Sequence, residues 1–308
     1  MNLDTDFVTT TIELAPDYEG EVIATLIASK RNTGNRKSVL YVHGYIDYFF
    51  HPHMCEKFHE HGFDFYAVDL RKYGRSLLPH QKPNYCEDVS EYYEEITASI
   101  KAIQSNSSDD IYLLGHSTGG LIASCYMNSG EKKNALKALV LNAPFLDMRE
   151  PLLVTKASYT FAKLGSVIKK DCKRDKAISP VYGESLHKDY YGEWDFNLAW
   201  KPIDGFPAYF KWFVAIVDAQ RSLKDSHITV PILLLHSSKS FKPKKYSPEV
   251  QLADVVLDVE DMKRIGPDLG NKVQLISIDN GQHDLFLSGK EVRERAFEEM
   301  FSWLNAIA

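Results

Sequence analysis

The stretch IYLLGHSTGGLIAS, Ile111 to Ser124, changes character at its midpoint. Apolar residues of strand type run into glycines around a histidine and a serine, and the pattern then turns helical. The spacing is Gly115-x-Ser117-x-Gly119. A serine at a strand-to-helix elbow has a strained backbone, so Gly115 and Gly119 supply positions without a bulky Cβ. The same geometry pushes the hydroxyl into open space. It also leaves the N–H of Thr118 at a helix N-terminus, aimed where an oxyanion would form. Ser117 is therefore a candidate nucleophile.

Working outward, strand-like segments recur as TTTIELA, EVIATLIAS, SVLYVHG, FDFYAVDL, IYLLGHS, ALVLNAPF, PILLLHSS and KVQLISID. From SVLYVHG onward most are short apolar runs without strict alternation, the signature of strands covered on both faces. Helical patterns lie between them: HMCEKFHEHG, DVSEYYEEITASIKAIQ, GGLIASCYMNSG and, last, KEVRERAFEEMFSWLNAIA. This alternation predicts an α/β fold, a mostly parallel eight-stranded sheet with helices on both faces. The first two strands, joined by PDYEG, read as an antiparallel hairpin at one edge. Between Asp147 and Ser226 the alternation stops, and the sequence becomes aromatic, basic and helical in period. That predicts a helical cap insertion over 147–226, within a core formed by 1–146 and 227–308.

The 308 residues, 44% of them hydrophobic, are enough for a large core, and the formal net charge of -6 gives no basic face for nucleic acid. No apolar run is long enough for stable membrane insertion, and the N-terminus lacks a secretory pattern, so a cytoplasmic protein is expected. Cys55, Cys86, Cys125 and Cys172 have no metal-type spacing and read as free thiols.

A serine hydroxyl needs a base, and histidine is the usual one. Of the 11 histidines, position selects His283, in the loop GQHDLFLS after the last strand. In a wound parallel sheet that loop shares a rim with the elbow. His43 and Gly44 end the strand SVLYVHG, where the next N–H, that of Tyr45, is placed to be the second oxyanion donor. Gly44 permits close backbone approach, His43 braces the loop, and His116 reads as scaffolding with its side chain turned from the pocket mouth. His51 and His53, or His59 and His61, do not form chelating pairs at their spacing, so neither metal nor cofactor is expected. Tyr45, Tyr48, Phe49 and Phe50, with Phe206, Tyr209, Phe210, Trp212 and Phe213 from the insertion, are candidates for an apolar pocket or for plain core.

In order along the chain, VLYVHGYIDYFF, FYAVDLRKYGRS, LLGHSTGG, LVLNAPFLD, ADVVLDVEDM and GQHDLFLS resemble the α/β-hydrolase superfamily. More narrowly they are similar to the branch holding monoacylglycerol lipases, lysophospholipases and serine aminopeptidase-like hydrolases. The resemblance implies Ser117 as nucleophile, His283 as base, and Tyr45 and Thr118 as oxyanion donors. There are two departures. Lys72 stands at the first glycine of the relatives' D-x-R-G-x-G-x-S, which implies a different backbone there. Ser240 stands where relatives carry the triad acid. Matching ADVVLDVEDM to the family's A-D-x-V-x-D-P-E makes FKPKKYSPEVQL an inserted loop and Asp254 the acid, with Asp258 the alternative and Asp279 and Asp284 less suited. The resemblance implies a serine hydrolase acting on a small-molecule acyl ester. An aminopeptidase using Glu184, Glu193, Asp195 or Asp204 to hold an amine is an alternative. A non-catalytic binding protein on this fold is another. The sequence leaves the oligomeric state unassigned.

Overall fold

The computed structural model describes residues 1–34, 37–106, 110–149, 152–168, 172–174 and 179–307. The sheet strands are β1 (Phe7–Glu13), β2 (Ile23–Ser29), β3 (Lys37–Val42), β4 (Phe63–Asp69), β5 (Ile111–His116), β6 (Leu136–Asn142), β7 (Ile232–Ser237) and β8 (Val273–Ile278). They lie in the order β1-β2-β4-β3-β5-β6-β7-β8. β1 pairs antiparallel with β2, and β2 antiparallel with β4; from β4 to β8 every pairing is parallel. The edge hairpin and the parallel interior are those expected from the sequence.

Period-two geometry sends neighbouring side chains to opposite faces, and here both faces are covered. Leu40, Val42, Leu113, Leu139, Leu141 and Leu234 pack on one side with helices α2 (Tyr93–Asn106) and α3 (Thr118–Ser129). Val39, Tyr41, Leu114, Val140, Leu233 and Leu235 pack on the other with α1 (His53–Glu60). Between β6 and β7 the chain adds α4 (Leu152–Ile168), α5 (Pro180–Leu186) and α6 (Phe210–Ser222). A two-residue ladder there joins Lys173–Arg174 to Ala208–Tyr209. Part of the basic run in this segment, residues 169–171 and 175–178, lies outside the described residues. After β7 come α7 (Val259–Ile265) and α8 (Lys290–Ala306). The buried residues of α8, Ala296, Phe297, Met300, Phe301, Trp303 and Leu304, fall on one side of the helix and join the α1 face.

Lys72 holds an unusual backbone. Its φ of 65° lies in the left-handed region that glycine adopts readily. A non-glycine residue in that region costs on the order of 1–2 kcal/mol. The side chain offsets the strain: fully buried, it reaches Asp17 at 2.6 Å and Glu19 at 2.8 Å, with Nζ 4.3 Å from the Tyr18 ring centroid. It thereby ties the β1–β2 hairpin to the loop after β4. Lys72→Met is expected to destabilise the protein by about 3–5 kcal/mol, because Asp17 loses its cation and Glu19 keeps only Lys82, at 3.5 Å. A urea midpoint unchanged from wild type would contradict this.

Candidate active site

The elbow is built by close approach. Ser117 has φ 53° and ψ -118° and precedes the first residue of α3. Its N–H donates to Asn142 O at 3.0 Å, and its carbonyl accepts from the N–H groups of Gly120 and Phe145. A Cβ on Gly119 would lie 2.4 Å from Val42 O and 2.3 Å from His43 O, so only glycine lets α3 sit against the end of β3. A Cβ on Gly44 would meet Ser117 Cβ at 3.1 Å. Gly115 is equally closed in, its Cβ position 2.6 Å from Gly119 O.

Three predicted residues meet here. Ser117 Oγ–H donates to His283 Nε2 at 2.9 Å, and His283 Nδ1–H donates to Asp254 Oδ2 at 2.8 Å. All three are buried. The other Asp254 oxygen accepts from the N–H groups of Val256 and Leu257, each at 2.8 Å. Burial alone would raise the Asp254 pKa. The His283 charge and hydrogen bond, with those two backbone donors, outweigh it and hold the carboxyl below its ordinary range. The alternatives lie elsewhere. Asp258 caps α7, accepting from Glu260 N at 3.1 Å. Asp279 is exposed, and Asp284 accepts from Asn142 Nδ2 at 2.8 Å.

Tyr45 and Thr118 border the cavity beside Ser117. Among the described residues neither N–H has an acceptor, as expected of a first-turn amide at Thr118. His43 braces the loop: Nε2 accepts from Leu70 N at 3.0 Å, and Nδ1–H donates to Gly44 O at 2.8 Å.

His116 is buried beside the site, with its ring centroid 5.0 Å from that of His283. Its Nδ1 lies 3.6 Å from Asp47 Oδ2 and 3.7 Å from Asp284 Oδ2. Burial lowers its pKa, but the two carboxylates win and the net shift is upward. Asp47, His116 and Asp284 offer ligand atoms within 4.8 Å of one another, the spacing of a metal cluster. A cation is already supplied, since Lys201 Nζ lies 2.5 Å from Asp47 Oδ1. Asp47 and Lys201 were missed in the sequence. Asp47 follows the Gly44 turn closely, but the aromatic residues around it dominated the pattern, and Lys201 comes from the distant 147–226 segment.

The cavity, about 520 Å³, is walled by Tyr45, Phe145, Val154, Ala162, Tyr209, Phe210, Trp212, Phe213 and Leu257, with Ser117 and His283 on it. Tyr45 stacks on Trp212 at 4.1 Å between centroids. Four other candidates do not line it. Tyr48 and Phe50 pack with Leu186, Phe196 and Leu287, and Phe49 lies in the α1-side core. Phe206 is half-buried and is not part of the wall. Glu184, Glu193, Asp195 and Asp204 are also absent from the lining. Exposed Glu193 and Asp195 instead pair with Arg293 and Lys188. Among the described residues no helix is long and apolar enough to cross a membrane.

A family model described as "Serine aminopeptidase, S33" matches residues 33–242. No curated protein matches the chain. Among solved structures, a soluble variant of monoglyceride lipase from Saccharomyces cerevisiae, in complex with a substrate analog, has a TM-score of 0.70 at 15% identity, over 98% of this chain and 95% of that one. The monoacylglycerol lipase of Paleococcus ferrophilus has a TM-score of 0.65 at 18% identity, over 98% and 100%. A carboxyl esterase from Bacillus coagulans in complex with glycerol has 0.67 at 15%, over 97% and 99%. At these identities the likeness is one of fold.

Removing the Asp47 charge tests the buried pair. Burial pushes the Asp47 pKa up, but Lys201 and then His116 pull it far below the ordinary carboxylate value of 3.8. A depressed folded pKa gives stability that is present above the unfolded value and lost as pH falls toward the folded one. Asp47→Asn is therefore expected to cost about 3–5 kcal/mol at pH 7, with Lys201 left buried and unpaired. The gap should narrow below the ordinary value of 3.8. Urea unfolding at neutral and acid pH reads both, and a gap independent of pH would contradict the pairing.

Proposed function

Because the chain belongs to the serine aminopeptidase family of α/β-hydrolases, we propose that this hydrolase cleaves carboxylic esters through Ser117, His283 and Asp254. The observation that carries the reading is the continuous pair of hydrogen bonds from Ser117 to His283 to Asp254. In this mechanism His283 Nε2 takes the serine proton as Oγ attacks the acyl carbon. Asp254 fixes the Nδ1–H tautomer and stabilises the imidazolium. The N–H groups of Tyr45 and Thr118 bind the oxyanion. His283 then returns the proton to the departing alcohol, and a water activated in the same way releases the acid.

An ester is favoured over an aminoacyl substrate by the walls of the cavity. They are largely apolar, and the carboxylate on them, Asp47, is already paired with Lys201. A free α-amino group therefore has no unpaired acid to meet there among the described residues. The monoglyceride lipase and carboxyl esterase neighbours agree with an acyl ester. We further propose that residues 147–226 act as a cap. Val154, Ala162, Trp212 and Phe213 from that segment share the cavity wall with Ser117, so it is placed to exclude water and select the acyl group.

Ser117→Ala is expected to lower kcat by about 10⁴-fold or more in a folded protein and to abolish fluorophosphonate labelling. Near wild-type turnover would refute the nucleophile. Asp254→Asn is expected to lower kcat by about 10⁴-fold, whereas Asp258→Asn, at a helix cap, should leave it nearly unchanged. The reverse ranking would move the acid to Asp258. An acyl-chain series of p-nitrophenyl esters, run beside aminoacyl-anilides, should show turnover of the esters alone; faster anilide cleavage would favour the peptidase.

A further inference from the structure

Asp254 lies on the far side of the loop 241–252, yet its carboxylate must stay within hydrogen-bond reach of His283 Nδ1. The neck of that loop is closed by backbone pairing. Ser240 and Asp254 form a parallel bridge, with Phe241 N donating to Asp254 O at 2.8 Å and Asp254 N to Lys239 O at 3.0 Å. Directly beyond the bridge, one side chain spans both strands of the neck. Arg149 Nη1–H donates to Val255 O at 2.9 Å, and Nη2–H donates to Phe241 O at 2.9 Å. Phe241 and Val255 are the residues that immediately follow the two bridge partners.

Arg149 comes from the chain leaving β6, the strand beside β7 in the sheet. It borders the cavity with Met148 and Leu257, and among the described residues no carboxylate pairs with it. Its two outer nitrogens each donate to a carbonyl.

We infer that Arg149 is a positioning residue for Asp254, a clasp across the neck of the inserted loop. This rests on the reading of Asp254 as the triad acid. Opening the neck would free the residues that set the carboxylate, and a displacement of about 1 Å in a catalytic group can cost on the order of 10²-fold in rate. A guanidinium suits the task because its planar fork presents two donors in fixed directions. A lysine offers a point charge that reaches one carbonyl at a time.

The test compares wild type, Arg149→Met, Arg149→Lys and Asp254→Asn by p-nitrophenyl butyrate kinetics and by the downfield proton resonance of His283 Nδ1–H. Arg149→Met is expected to lower kcat by about 10–100-fold with KM within about 2-fold, and to shift or broaden that resonance. Arg149→Lys should recover part of both, and added guanidinium should partly rescue Arg149→Met. Circular dichroism and thermal melts verify folding; if Arg149→Met does not fold, Arg149→Lys and Arg149→Gln carry the comparison. Wild-type kcat and an unmoved resonance in a folded Arg149→Met, with Asp254→Asn inactive, would overturn the clasp alone. A change confined to KM would overturn it in favour of a substrate contact. An active Asp254→Asn would remove the acid assignment and the clasp with it.

Discussion

Gly119 has no side chain, and for that reason the first turn of α3 can rest against the carbonyls of Val42 and His43 at the end of β3. This contact fixes where the helix begins, and with it the left-handed backbone of Ser117. The parallel pairing of β3, β5 and β6 brings the loops after those strands to one rim, so the Gly44 turn and the Asn142 carbonyl meet the elbow there. The strain at Ser117 is held by the sheet beneath it rather than by the site. His283 and Asp254 arrive from later in the chain and are built onto an edge that these first strands have already set.

The elbow, the eight strands and their wrapping of helices were legible because they depend on local pattern: apolar runs of strand length, a change of period, and glycines where a Cβ cannot fit. His283 was legible because a loop after the last strand must reach the same rim. Asp254 was harder, since nothing in its immediate surroundings separates it from Asp258; the motif alignment favoured it. In the structure the two carboxylates diverge, one onto His283 and the other onto the Glu260 amide at the start of α7. The pocket walls were read only in part. Tyr45 and Trp212 stack across the cavity, while Tyr48 and Phe49, nearby in sequence, point into packed interior. Aromatic composition does not distinguish the two fates, because both bury the same surface.

The charged groups around the site were the least visible. Asp47, Lys201, His116 and Asp284 converge from four distant segments, and no spacing in a single stretch announces them. Attraction between the unlike members, Lys201 with Asp47 and His116 with both carboxylates, offsets the hydration each gives up on burial. Behind them His51 is held neutral, its pKa pushed down to about 3 chiefly by burial. Within a short distance the fold therefore keeps one histidine uncharged and favours the charged form of another. The difference comes from the placement of carboxylates, not from the residue type.

The neck that closes the loop 241–252 separates two demands that most enzymes place on the same residues. Below the neck, the backbone pairing of Ser240 with Asp254 sets atomic position. Above it, Lys244 and Lys245 stand exposed at the tip. Lengthening a loop whose ends are already joined costs little, about 0.6 kcal/mol for each doubling. The loop is nevertheless not isolated: Tyr246 stacks on Tyr191 at 3.6 Å between centroids, and Gln251 Nε2–H donates to Ser185 O and Tyr191 O, so a change of length there is passed to the 147–226 segment rather than straight to Asp254.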